Sequence, residues 1–183
     1  DYQILAQSVA AQIPNYFLEA DKKSKITKII SHKLVDTGIC ASERFADQIV
    51  ASSCTGFLIG KDILVTAGHC VESMKDCRSK KWIFDYVASG DKVDAISVNS
   101  SSVYTCKKIL DHKLDHKDGF NQDYTIVKLD REVTGRIPLK LNLKKDELID
   151  AVLKLQNEFQ KSESKAETAV KEEAATTNES TEN

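Results

Sequence analysis

Residues 54–70, CTGFLIGKDILVTAGHC, hold two short apolar runs around a Gly60-Lys61-Asp62 turn and end in a small-residue corner that presents His69 beside Cys70. Runs of this length, rich in β-branched and aromatic residues and bounded by glycine and aspartate, read as paired strands. A lone histidine in a half-polar loop is ordinarily a surface residue or a satisfied core residue, so what His69 does must be sought in its surroundings.

The surroundings are strand-rich. ASSCTGFLI, DILVTAGHC, KWIFDYVA, AISVNS, SVYTCKKIL and DYTIVKLD, separated by clusters of Gly, Asp, Asn and Ser, follow one another between about residues 35 and 142. Six strands at this spacing predict a mainly β fold, a small antiparallel barrel closed on itself. Trp82, Phe84 and Tyr86 alternate along one of these runs, as side chains on one barrel or interface face do.

The flanks differ in composition. Residues 1–34, with YQILAQSVAAQI and then DKKSKITKIISHK, read as a helical N-terminal extension or pro-segment. In KKDELIDAVLKLQNEFQ, Leu148, Val152, Leu155 and Phe159 recur at helical spacing, and Ile149 and Leu153 widen the stripe, so an amphipathic helix is expected over 143–160. Residues 161–183 carry three Lys against six Glu and almost no large apolar side chain, the composition of a disordered acidic tail.

Composition narrows the function classes. The 183 residues carry a formal charge of −2, with 41% apolar and 30% charged residues, and Lys and Arg are dispersed, which argues against a nucleic-acid footprint. The longest apolar runs, such as ILVTA, are far too short to span a bilayer, so no membrane partner is expected. The chain opens on Asp1 with neither Met nor a basic-then-apolar leader, so a signal peptide is expected to be absent or already removed. The five cysteines, Cys40, Cys54, Cys70, Cys77 and Cys106, form no C-x-x-C pair and read as a disulfide framework rather than a zinc site. A secreted or periplasmic location is expected, with one cysteine left over.

LVTAGHC, with Cys54 sixteen residues before Cys70 and the Cys-x-Gly opening CTG, resembles the chymotrypsin/trypsin-like serine peptidases, in whose T-A-[AG]-H-C corner the histidine is the general base. The resemblance implies a Cys54–Cys70 disulfide, and an aspartate farther along at the start of an apolar strand. NQDYTIVKLDR supplies that residue as Asp123, which would accept the His69 Nδ1–H and leave Nε2 free for proton transfer. Cys77 is expected to pair with Cys106, since both flank the KWIFDYVA region. Cys40 then remains, the position from which many relatives bridge to a second barrel; a free or dimer-forming thiol is the other reading.

The resemblance also implies a serine nucleophile and an oxyanion hole in a second barrel, on a Gly-Asp-Ser-Gly-type turn. Beyond Asp123 the serines are Ser162, Ser164 and Ser180, none beside a glycine, and the one glycine is Gly135. The resemblance thus covers about residues 40–142, the N-terminal barrel, and little peptidase activity is expected of this chain alone. There is no Ile-Val-Gly-Gly start; SERFADQIVA, residues 42–51, runs into the first strand, which is closer to the bacterial trypsin-like branch.

In DHKLDHKD, His112 and His116, with Asp111, Asp115 and Asp118, would share one face if helical, although a charged loop is the simpler reading and neither metal nor cofactor is expected. Asn99-Ser100-Ser101 and Asn178-Glu179-Ser180 match glycosylation sequons. Two functions follow. One is a serine endopeptidase fragment whose His69 and Asp123 work with a nucleophile from elsewhere. The other is a non-catalytic barrel that binds a protein or peptide, with helix 144–160, a second barrel in trans or a second copy covering its apolar face.

Overall fold

The computed structural model describes residues 2–115 and 122–141. In chain order its strands are β1 (Val9–Pro14), β2 (Leu18–Asp21), β3 (Ile26–Ile29), β4 (Cys54–Leu58), β5 (Ile63–Thr66), β6 (Lys80–Ile83), β7 (Ile96–Asn99), β8 (Val103–Asp115) and β9 (Gln122–Leu129). Two short helices, α1 (Tyr2–Ala6) and α2 (Met74–Ser79), accompany them. The chain separates into two units, Asp1–Lys140 and Leu141–Asn183. The expected helix over 143–160 and the acidic tail over 161–183 lie outside the described residues.

The hairpin forms where the apolar runs place it. β4 and β5 pair antiparallel, Gly56 opposite Thr66 and Leu58 opposite Leu64. Gly56 must lack a side chain, because a Cβ there would stand 2.2 Å from Leu64 Cδ2 and 2.8 Å from Trp82 Cζ3. From this hairpin the sheet runs β1-β4-β5-β9-β8-β6 and closes into an antiparallel six-stranded barrel through the pairing of β6 with β1. Closure removes the free edges that a six-stranded sheet would expose.

The strand count agrees with the sequence reading, but the membership does not. AISVNS supplies β7, which joins β2 and β3 in a separate three-stranded sheet. The sixth barrel strand is β1, drawn from the segment read as a helical extension; the helix there stops at Ala6. The barrel therefore begins at residue 9, not 35. The run SVAAQIP is short and alanine-rich, and its fate is set by the gap between β4 and β6, a tertiary demand that overrides local helix preference. β1 is covered on both faces. Ala10 and Gln12 are buried toward the barrel, whereas Ile13 packs with Ile29, Ile83, Ile96 and Val98 under the second sheet. SERFADQIVA contributes only two isolated bridges, Lys33 with Ile49 and Gln48 with Val93.

The barrel interior is filled by Leu58, Leu64, Trp82, Phe84, Tyr104, Val127 and Leu129. Phe84 meets Tyr104 edge to face at 5.5 Å between centroids, a favoured aromatic geometry. Tyr86 does not share that face. Asp85 adopts a left-handed φ of 61°, and the chain turns, so the Tyr86 ring joins the second cluster. At the other end, residues 133–139 strap the barrel: Val133 N–H donates to Lys61 O (2.7 Å), Leu139 N–H to Leu58 O (2.8 Å), and Arg136 Nη1 to Gln7 O (2.8 Å).

Since β1 supplies two of the barrel's six pairings, a chain starting at Leu18 should lose more than the roughly 5–15 kcal/mol that stabilises a domain of this size. Cooperative urea unfolding followed by Trp82 fluorescence should be absent from that variant and present in the full chain. An unchanged midpoint would show that β1 is dispensable.

Candidate functional site

β5 ends at Thr66 and the chain makes a tight 3₁₀ turn over Gly68–Cys70, with Cys70 N–H donating to Ala67 O and Val71 N–H to Gly68 O, both at 3.1 Å. The turn is held from several sides. Cys70 is disulfide-bonded to Cys54 at the start of β4, with Cα atoms 6.1 Å apart. The Cys70 carbonyl accepts from Gln12 Nε2 at 3.1 Å and from Lys80 Nζ at 3.3 Å. A second disulfide, Cys77–Cys106, ties α2 to β8 with a Cα separation of 5.2 Å.

The strand beside β5 brings the carboxylate. In the β5–β9 ladder Thr66 stands opposite Thr125, so Asp123, two residues earlier on the same face of β9, lies where the chain has passed into the 68–70 turn. Its Oδ1 accepts the backbone N–H of His69 at 3.0 Å, and its Oδ2 accepts from His69 Nδ1 at 2.7 Å. The small-residue corner now has a reason. A Cβ on Gly68 would lie 2.4 Å from Lys113 O, 2.9 Å from Asp123 Oδ1 and 3.0 Å from Tyr124 N.

Hydrogen bonds from the His69 backbone N–H, the His69 ring and the Gly68 backbone N–H hold the Asp123 carboxyl below its ordinary value of 3.8. Such bonds favour the charged form. Ionised, Asp123 has no proton to give, so the ring proton belongs to Nδ1 and the lone pair to Nε2. The His69 side chain is 60% exposed against 34% for Asp123. The arrangement is thus an exposed imidazole, held in its ring plane by a less exposed carboxylate that favours the neutral tautomer with its proton on Nδ1.

The other sequence candidates fall out differently. Cys40 is an exposed free thiol. Ser162, Ser164 and Ser180 lie outside the described residues. Asp111, His112 and Asp115 are on strand β8 rather than a helix, so helical spacing does not bring them to one face; His116 and Asp118 lie outside the described residues. His112 Nδ1 is instead bonded to Thr125 Oγ1 at 2.8 Å. Cys54, His69 and Cys70 lie close enough to suggest a metal cluster, but both sulfurs are spent in the disulfide. Asn99 closes β7 on an exposed turn, its Oδ1 accepting from Ser101 N–H at 2.9 Å; the second sequon, Asn178–Ser180, lies outside the described residues.

Sequence reasoning missed Gln12 and Lys80, which hold the Cys70 carbonyl, and Thr125, whose Oγ1 lies 3.0 Å from Val71 O. A period-two signal for Thr125 was available, since Asp123, Thr125, Val127 and Leu129 fall on one strand face. Gln12 carried none while its segment read as a helix.

Gly68→Ala should push the Asp123 carboxylate off the turn and cost about 1–3 kcal/mol of overpacking strain, with loss of the His69 Nδ1 contact seen as a changed His69 ring resonance by NMR. The lowered Asp123 value has a defined sign. Its contribution to stability is complete above the ordinary carboxylate value and is lost as pH falls through the lower folded-state value. Carbon-13 titration of the Asp123 carboxyl should show a midpoint below 3.8; a midpoint at or above it would contradict the hydrogen bonding described.

The Trypsin family model matches residues 40–147, more than half of the chain. No curated protein matches it. The matched stretch spans both partners of the His69–Asp123 pair and both disulfides, and omits β1, which nonetheless closes the barrel. With its closed six-stranded barrel, the chain belongs to the trypsin-like serine peptidase family, of which it carries the N-terminal barrel.

Proposed function

We propose that this chain supplies the general-base half of a serine endopeptidase site. His69 Nε2 would take the proton of a serine hydroxyl as it attacks a peptide carbonyl and return it to the leaving amine. Asp123 would orient the ring and stabilise the imidazolium formed in between. The observation that carries this reading is the two-point contact between Asp123 and His69, at the backbone N–H and at Nδ1. A carboxylate that only capped a strand end would have no reason to engage both atoms.

The reaction also needs a nucleophile held to sub-ångström tolerance beside oxyanion donors. Beyond Asp123, Ser162, Ser164 and Ser180 have no glycine neighbours and sit in polar, acidic sequence, so the serine would come from polypeptide outside these 183 residues. The substrate is a protein or peptide, and the partner a second barrel. The two disulfides support a secreted or periplasmic setting, where such bonds persist.

A fluorophosphonate probe read by intact mass tests this directly, with an active trypsin-like enzyme as the labelled control. The chain alone should stay unlabelled. A stoichiometric adduct would mean that a reactive serine is assembled within it, and the proposed division would be wrong. Joined to a polypeptide carrying the serine, Asp123→Asn should lower kcat about 10⁴-fold through the wrong imidazole tautomer.

A further inference from the structure

We infer that the buried hydroxyl of Thr125, backed by His112, is a positioning group for His69; this rests on the reading of His69 as a general base. Thr125 is fully buried on β9. Its Oγ1 lies 3.0 Å from Val71 O, 3.4 Å from Gly68 O and 2.8 Å from His112 Nδ1. A hydroxyl has one proton, and carbonyl oxygens only accept. The proton is therefore directed at the Val71 and Gly68 carbonyls, and the contact with His112 must be an Nδ1–H donated to the Thr125 oxygen. That assigns the His112 tautomer. A protonated His112 donates from the same nitrogen, so the arrangement holds in either charge state.

The two carbonyls bracket the His69–Cys70 dipeptide, and one of them has a direct geometric link to the site. Gly68 C=O and His69 N–H belong to the same planar peptide unit, so the carbonyl and the N–H point in opposite directions. Gly68 O is drawn toward Thr125 Oγ1 and the Val71 N–H. The opposite side of that plane then aims His69 N–H at Asp123 Oδ1, 3.0 Å away. β9 thus grips one peptide plane from both sides, with Thr125 behind it and Asp123 in front. Without the hydroxyl, the carbonyl side of the plane keeps only the turn bond from Val71, and its tilt, hence the direction of the His69 ring, is less constrained.

The test uses the intact chain and the downfield Nδ1–H proton resonance of His69. Thr125→Val, close to isosteric, should broaden that resonance beyond detection or shift it upfield, and Thr125→Ser should restore it. Thr27→Val serves as a stability control, because Thr27 is also buried, in the second sheet, and its Oγ1 lies 2.9 Å from Ser100 Oγ; it should leave the resonance in place. If Thr125→Val keeps the wild-type resonance, or if Thr27→Val abolishes it as well, the positioning role is refuted. Should Thr125→Val not fold, nitrogen-15 shifts of the neutral His112 ring in the wild-type chain still decide: Nδ1–H supports the assignment and Nε2–H overturns it. Absence of the His69 resonance from the wild-type chain would instead remove the base reading beneath it.

Discussion

The Asp123 carboxylate meets the 68–70 turn at two points, His69 N–H and His69 Nδ1, and that double contact sets the demands on everything around it. One bond would hold a ring loosely; two bonds from one rigid carboxylate fix the turn and the ring together. Exposed ion pairs contribute little to stability, and His69 is largely exposed. The pair is therefore held by the fold and does not hold the fold up. Its geometry depends on keeping the end of β5 and the start of β9 in register, and the remaining architecture serves that register.

Three constraints act on the corner from different directions. The Cys54–Cys70 disulfide ties it back to the start of β4. Gln12 and Lys80, from β1 and β6, hold the Cys70 carbonyl at 3.1 and 3.3 Å, so the closing strands of the barrel reach the site directly. Gly68 leaves room for the approach of β8 and β9, whose Lys113 carbonyl and Asp123 carboxylate would otherwise collide with a side chain. A closed barrel suits this task, because its packed interior around Trp82, Phe84 and Tyr104 resists the sub-ångström shifts that would open a hydrogen bond of 2.7 Å.

Much of this was legible in the sequence, for physical reasons that can be named. The β4–β5 hairpin is announced by two apolar runs around Gly60-Lys61-Asp62, and the alternation after Asp123 marks β9. The corner motif with its cysteine spacing led to the family, and through it to Asp123 and Cys54–Cys70. The Cys77–Cys106 pair followed from where the two residues flank β6. What was misread depended on long-range pairing. SVAAQIP has no strong local preference and becomes β1 only because β4 and β6 leave a gap, and AISVNS reads as a barrel strand until β3 captures it. DHKLDHKD, read as a charged loop, instead extends β8 as far as Asp115, where His112 meets Thr125. Buried hydroxyls and amides such as Thr125 and Gln12 have no signature of their own; their roles appear only when a carbonyl from elsewhere in the chain lies within reach.

The measurement that bears most directly on His69 as an oriented base is its neutral tautomer, read from nitrogen-15 shifts of the two ring nitrogens in the intact chain. A protonated Nδ1 with an unprotonated Nε2 is the result required by an ionised Asp123 at 2.7 Å. A neutral ring protonated at Nε2, or an even mixture of the two tautomers, would mean that Asp123 does not hold the imidazole. The chain would then carry a barrel of the trypsin family without its acid–base pair.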